Sequence, residues 1–167
     1  MNKYLIPALL AVVVAFSLWV ARDFFTGPKQ TTQVAEPQVK KIVLQYRNPD
    51  IVRLGKEIYR QQCSSCHGAD LQGEPNWQTR NQAGFLPAPP HNETGHTWHH
   101  PNEYLFAVVK RGVVPPLVPA GYKSTMYGFG NMLSNDQIIA VLSYIKSTWP
   151  EDIKLKHDQI NQQASGQ

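Results

Sequence analysis

The chain has 167 residues and a formal net charge of +4, which is spread unevenly along it. Residues 1–48 hold six Lys or Arg against two acidic residues, whereas residues 49–150 hold eight against seven. A protein that binds nucleic acid needs a basic stripe on a folded face, and the nearly neutral central region excludes that class. The length predicts a single domain.

The N-terminal segment predicts a membrane helix. Residues 4–20 lack charge and the apolar run reaches Ala21, close to the lower limit of the roughly 17–25 residues that a spanning helix needs. Lys3 precedes the run, so the positive-inside tendency keeps the N-terminus in the cytoplasm. A cleaved signal peptide is the alternative, with Ala15-Phe16-Ser17 as its small-x-small site. Residues 1–25 are therefore predicted to be an anchor or signal peptide, and the rest of the chain to be exported.

Two polar segments flank the predicted domain. Residues 26–48 are rich in Thr, Gln, Pro and Lys and predict a flexible linker, because so little apolar surface cannot offset the entropy of folding. Residues 151–167 are polar as well and predict a loose C-terminal tail. The folded domain is therefore predicted to span residues 49–150.

The predicted domain contains three helices and no significant sheet, which indicates an all-α fold. The third helix has one apolar face formed by Ile138, Val141, Leu142 and Ile145. The long irregular stretch at residues 68–100 is rich in Gly and Pro, and loops of this length are usually functional or wrapped around something. The helix ends are marked by Asn48 and Pro49 for the first helix, Pro101 and Gly112 for the second, and a Ser134–Gln137 capping box and Trp149-Pro150 for the third.

The first helix runs into Cys63-Ser64-Ser65-Cys66-His67, a pattern that is typical of covalent haem attachment. Thiols at i and i+3 lie on one helical turn, so both can add to the vinyl groups of one porphyrin, and the next residue brings an imidazole to the iron. A zinc site would need about four ligands, and these are the only two cysteines of the chain. A thioredoxin-like dithiol would need a βαβ pattern, which the sequence lacks. The motif therefore predicts one haem c, held by Cys63 and Cys66 with His67 as a ligand.

Further residues around this motif carry a resemblance to a known family. Gly55 and Tyr59 precede the motif, Gly68 follows it, Met126 lies far downstream, and an amphipathic helix ends at Trp149. Over about residues 49–150 this pattern resembles class I cytochromes c, in particular the small bacterial membrane-anchored ones. The resemblance implies a class I cytochrome c domain carried on one N-terminal transmembrane helix, with iron ligated by a histidine and a methionine.

The resemblance also implies roles for residues outside the motif. A glycine at position 55 would let the last helix of the domain cross closely, with an aromatic residue, here Tyr144, packed against it. The carbonyl of Pro89 would accept a hydrogen bond from the second nitrogen of the His67 imidazole. Pro89 lies farther from His67 than is usual in the family.

Met126 is implied as the second iron ligand. Met132 is the alternative, but it lies two residues before Ser134, where the predicted capping box already fixes the direction of the chain. The family usually has proline directly after this methionine, whereas Tyr127 follows it here. That difference removes a rigidifying residue from the ligand loop.

Three histidines stand close together in Gly95-His96-Thr97-Trp98-His99-His100. We interpret this stretch as a loop that caps the haem, with Trp98 packed on it and the histidines bonded to nearby carbonyls or propionates. The alternatives are a Cu or Zn site, or a histidine in place of Met126 on the iron.

For function, the resemblance implies one-electron transfer between redox proteins in or at the membrane. With both axial positions filled, no small-molecule substrate binds, so the chain is expected to be a carrier and not an enzyme. The predicted anchor places the haem domain on the periplasmic side of a bacterial inner membrane. Two alternatives stay open: a fixed haem subunit of a larger membrane oxidoreductase complex, and a haem-based sensor, which needs an open or labile sixth position.

Overall fold

The structure is a computed structural model and describes residues 41–166. The predicted membrane anchor and most of the predicted linker lie outside these residues. Within them the chain is helical and forms no strand, in agreement with the all-α prediction. No helix in this range is both long and apolar enough to span a bilayer. The helices are α1 (Pro49–Gln62), α2 (Ser64–His67), α3 (Asn102–Arg111), α4 (Asn135–Ser147) and α5 (Glu151–Ser165), with a short 3-10 turn at Thr97–His99.

Helix α1 begins where the sequence predicts and crosses α4 closely. The side chain of Asn48 accepts hydrogen bonds from the backbone N–H groups of Asp50 and Ile51, which caps the helix. At Gly55 an added Cβ would overlap the carbonyl of Ala140 and lie 2.8 Å from the Cβ of Tyr144. The prediction that Gly55 permits a close crossing beside Tyr144 is therefore confirmed.

The ends of α3 and α4 also follow the sequence signals. The Ser134 hydroxyl accepts from the backbone N–H of Gln137, whose side chain accepts in turn from the Ser134 N–H, so the capping box is complete. Gly112 ends α3 with a φ of 86°, a conformation that glycine adopts at low cost. Pro101 is the N-cap of α3 and not its first helical residue, one position away from the prediction.

The prediction of a loose C-terminal tail is wrong, because residues 151–165 form helix α5. The buried positions of α5 are Ile153, His157 and Asn161, four residues apart and therefore on one face. Two of the three are polar, so a search for apolar periodicity misses this face. Burial lowers the pKa of His157 to about 4, so the imidazole is neutral at physiological pH.

An ion pair joins α5 to α4. Lys146 is only 2% exposed, and its ammonium group pairs with the Asp158 carboxylate. The hydroxyl of Tyr46 donates to the same carboxylate at 3.3 Å, and its ring lies 4.5 Å from the ammonium nitrogen. Burial lowers the pKa of Lys146, and Asp158 opposes that shift. An unpaired charge would be costly here, so Lys146 ties α4, α5 and the segment before α1 together.

That segment also departs from the prediction, because residues 41–48 are bound to the domain and are not a free linker. Leu44 is buried, and the backbone N–H of Gln45 donates to the Ser143 hydroxyl at 2.9 Å. The side chain of Asn102 donates to the carbonyl of Ile42 at 2.9 Å. The sequence does not reveal this packing, because the segment buries one leucine and is otherwise held by hydrogen bonds, which leave no apolar periodicity.

We predict that Gly55→Ala destabilises the protein by at least about 2 kcal/mol, because the added methyl group overlaps backbone atoms that cannot move independently. Denaturant unfolding of the purified protein measures the change. Gly166→Ala is the matched control, because a Cβ at Gly166 meets its nearest neighbour at 3.8 Å. Equal stability of the two variants would contradict the close crossing of α1 and α4.

Candidate functional site

The Cys-x-x-Cys-His motif forms a single tight turn at the end of α1. Cys63 caps α1, and its carbonyl accepts from the backbone N–H groups of Cys66 at 3.2 Å and His67 at 3.0 Å. Neither cysteine is in a disulfide. Cys66 is exposed, Cys63 is half-buried and His67 is buried. Both thiols and the imidazole line one cavity, as the spacing predicts.

This cavity has a volume of about 230 Å³, far more than the voids that packing defects leave in a protein interior. Its walls come from the motif, from the loop after it, from α3, from the stretch before α4 and from α4 itself. The apolar part of the lining includes Leu86, Pro87, Leu105, Val108, Val109, Val113, Phe129, Val141, Leu142 and Ile145.

A backbone carbonyl fixes the His67 ring. The Nδ1 atom of His67 lies 2.8 Å from the carbonyl oxygen of Pro89, and because a carbonyl only accepts, Nδ1–H is the donor. Burial lowers the pKa of His67, so the ring is neutral and its Nε2 lone pair is available to a metal. The predicted hydrogen bond to Pro89 is therefore confirmed, despite the long separation in sequence.

The Tyr59 hydroxyl supports the motif through hydrogen bonds to its backbone, a role that the sequence does not reveal. Its hydroxyl lies 3.3 Å from the carbonyl oxygen of His67 and 3.0 Å from that of Gly68, and donates to both. The ring is 2% exposed and packs against Tyr144 of α4 at 5.5 Å between centroids. Burial raises the pKa of Tyr59, which keeps the hydroxyl protonated as a donor.

Met126 lines the same cavity, whereas Met132 is 54% exposed and does not. The loop that carries Met126 is attached to the end of α3. The carbonyl of Met126 accepts from the N–H of Val113 at 3.2 Å, and its own N–H donates to the Ser124 hydroxyl at 3.1 Å. Gly112 and Tyr127 form an isolated antiparallel bridge beside this contact. The site thus brings Cys63, Cys66, His67 and Met126 together.

The histidine loop divides between the cavity and the surface. His96 and His100 line the cavity, but His99 does not. Trp98 also lies away from the lining and stacks on His99 at 3.6 Å, so the prediction that it packs on the haem is not supported.

Among residues 41–166, no group of three or more His, Cys, Asp or Glu is placed to hold a metal ion. The Cu or Zn alternative therefore finds no support in this loop.

His91 is a second residue that the sequence does not single out. Its ring is stacked on His67 at 3.8 Å between centroids with an interplanar angle of 19°. The backbone of His91 is held on both sides, because its N–H donates to Leu71 and its carbonyl accepts from the Trp149 indole, each at 2.8 Å. The Nδ1 atom of His91 is buried and has no hydrogen-bond partner within the described part of the chain. A lone histidine after Pro89-Pro90 gives no sequence signal for such a contact.

Comparison with known families identifies this arrangement. A family model described as cytochrome c oxidase, cbb3-type, subunit III matches residues 50–145, more than half of the chain. The chain belongs to this family of class I c-type cytochromes. Membership implies covalently bound haem c and haem-based electron transfer. A search of curated proteins finds no match for the chain.

The cytochrome site has the donors that such a cofactor needs. The two thiols at the cavity wall suit thioether bonds, and a neutral imidazole with Nδ1 engaged leaves Nε2 for iron. A thioether sulfur and apolar side chains line the same space. The residues present therefore fit a haem. The family match does not extend to helix α5 or to residues 41–48.

We predict that Tyr59→Phe destabilises this cytochrome by about 0.5–1.5 kcal/mol, because the carbonyls of His67 and Gly68 lose one of their two donors and keep only the backbone N–H of Gly73 and of Leu71. Tyr144→Phe is the control, since it keeps the ring that packs at Gly55 and removes a hydroxyl with no partner among the described residues. Denaturant unfolding of the purified protein compares the two. If Tyr59→Phe is as stable as the parent, the hydroxyl does not support the motif.

Proposed function

We propose that this chain is a one-electron carrier with a single haem c, in which Cys63 and Cys66 form the thioether bonds and His67 and Met126 ligate the iron. One observation carries the proposal: the four side chains predicted from the sequence line one cavity, although Met126 is far from the motif in sequence. The exposure of Met132 supports the choice between the two methionines.

The chain's own residues suit rapid electron exchange without other chemistry. A bound haem supplies the one-electron chemistry, and the protein supplies orientation, burial and ligands. The Pro89 carbonyl holds the His67 ring in one orientation, which limits reorganisation at the iron. A methionine sulfur favours the reduced iron and raises the potential. With both axial positions filled, no position is left for a substrate.

The location of the carrier belongs to the same proposal. Residues 1–25 would anchor the chain in the bacterial inner membrane, with the haem domain on the periplasmic side. Residues 49–150 carry nearly balanced charge, so long-range electrostatic steering toward a partner would be weak. An anchor replaces such steering, because it restricts the search for redox protein partners to the plane of the membrane.

The second candidate function is that of a fixed haem subunit in a membrane oxidoreductase complex. The description of the matching family, which names an oxidase subunit, favours this candidate. Gentle solubilisation of membranes followed by native purification separates the two functions. A carrier purifies alone, whereas a fixed subunit co-purifies with other redox proteins in constant ratio.

We predict covalent haem attachment through the two cysteines. After expression in a host that matures c-type cytochromes, denaturing electrophoresis with a haem-peroxidase stain should mark the polypeptide. The Cys63→Ala/Cys66→Ala double variant should lose the stain at equal protein loading, while Ser64→Ala, which leaves both thiols in place, should keep it. An unstained band from the parent chain would refute the haem site.

We also predict that Met126→Ala abolishes the weak far-red sulfur-to-iron charge-transfer band of the oxidised protein and lowers the potential. The reason is the loss of a sulfur ligand that favours the reduced iron. Met132→Ala is the matched control and should leave both the band and the potential nearly unchanged. If the control loses the band instead, Met132 is the ligand; if neither does, a side chain other than these methionines holds the sixth position.

A further inference from the structure

The cavity proposed for the haem is short of permanent charge. Among the described residues that line it, none is Lys, Arg, Asp or Glu, and the groups able to carry positive charge are His67, His91, His96 and His100. A haem brings two carboxylates, and covering an unpaired carboxylate without hydrogen bonds is costly. A carboxylate that is not left wholly to solvent can find a charged partner in this lining only among these imidazoles; the hydroxyls, the Gln62 amide and backbone N–H groups are neutral donors.

Two of the four imidazoles lie at the proposed iron ligand, and the Nδ1 atom of His91, which has no partner among the described residues, is buried beside His67. His67 is the proposed iron ligand, and its Nδ1 donates to Pro89. His91 lies flat against His67 at 3.8 Å between ring centroids. His96 and His100 remain, with their ring centroids 5.4 Å apart, and the described residues offer neither ring a hydrogen-bond partner. Their nitrogens are therefore available to an acceptor in the cavity.

Both rings are held in place. His96 stacks on Trp77 at 5.4 Å, and His100 stacks on Tyr104 of α3 at 4.4 Å. The carbonyl of His100 accepts from Nε2 of His157 on α5 at 3.0 Å. His96 is exposed and held by stacking, whereas His100 is held by stacking and by its backbone, so part of the freedom that a ligand would remove is already lost.

The neighbouring hydroxyls are less suited to a carboxylate. The hydroxyl of Tyr104 donates to the carbonyl of Leu117 at 3.2 Å, and that of Thr97 donates to Pro90 at 3.4 Å. Both protons are thus directed elsewhere. The other neutral polar side chains of the lining, those of Gln62, Ser65, Tyr122, Ser124 and Thr125, offer hydrogen bonds but no charge.

From this arrangement we propose that His96 and His100 bind a carboxylate of the haem and make the affinity of the haem for an electron decrease as pH rises. The inference rests on the proposed haem site. The electron comes from a redox protein partner and the proton from water, so each reduction is accompanied by partial protonation of an imidazole.

The direction follows from charge. Burial lowers the pKa of His96 and of His100, which leaves the rings neutral near pH 7 when no anion is present. A carboxylate favours the charged form, and the extra negative charge of the reduced haem favours it further. Reduced protein therefore binds more protons than oxidised protein, and electron affinity falls as pH rises through the range where these rings lose protons.

The titratable groups packed around the pair do not produce the same effect. His157 on α5 and His91 have lowered pKa values because of burial, and Tyr104 has a raised one. These three groups therefore gain or lose their protons outside the neutral pH range. His99 is next to the pair in sequence and lies outside the cavity, so it serves as the control position.

The test is the midpoint potential of the haem-loaded, full-length protein between pH 5 and pH 8. We expect the parent's electron affinity to fall at least threefold over this range, which corresponds to about 28 mV for one electron. The His96→Gln/His100→Gln double variant should have a lower affinity than the parent at pH 5, and the two should converge at pH 8. His99→Gln, which removes an imidazole outside the cavity, should follow the parent.

A second measurement needs no variant. Imidazole NMR titration of the parent protein should give higher pKa values for His96 and His100 in the reduced state than in the oxidised state. A parent potential that is independent of pH, a double variant parallel to the parent, or equal pKa values in both states would overturn the inference. The haem stain and the far-red band report separately on the haem site, so failure of the carboxylate site is distinguishable from failure of the proposed function.

Discussion

The close crossing of α1 and α4 is the contact on which the site depends. Gly55 lets the two backbones approach until the carbonyl of Ala140 occupies the place of a side chain. Tyr59 lies one turn farther along α1, packed against α4, and its hydroxyl binds the carbonyls that follow the cysteine pair. The His67 turn, which hydrogen bonds within the motif form, is thereby also attached to the helix pair. A motif that binds haem in isolation would hold the imidazole less firmly.

Helix α5 and residues 41–48 add a second layer outside the part of the chain that the family model matches. Asn161 accepts from the backbone N–H of Asn102, and Asn102 donates to the carbonyl of Ile42, so one chain of hydrogen bonds joins the C-terminal helix, the start of α3 and the segment before α1. His157 extends this chain to the histidine loop. The layer thereby ties the backbone of the histidine loop to α5 at His100.

The sequence predicts those features that have short-range causes. The Ser134–Gln137 box, the Asn48 cap and the cysteine turn each depend on groups within four residues, and the structure contains all three. The family resemblance added longer contacts, such as Pro89 with His67. What sequence reasoning missed depends on polar residues buried by distant partners. His157 and Asn161 look like a solvated face until their hydrogen-bond partners at residues 100–102 are known, and the contact of His91 with His67 exists only once the loop closes.

The loop that presents Met126 shows how one constraint can replace another. The family's usual proline would restrict the backbone after the methionine, and Tyr127 does not. Here the last carbonyls of α3 take over that role: Val109 accepts from the N–H of Phe129 at 2.8 Å, and Lys110 accepts from that of Gly130 at 3.0 Å. A helix end always leaves such carbonyls without an intrahelical partner, so the loop gains order by satisfying them. Gly128 permits the contact, because a Cβ there would lie 2.5 Å from the backbone of Arg111. Rigidity at the proposed sulfur ligand thus depends on the end of α3, and a change that frays that helix end would loosen Met126.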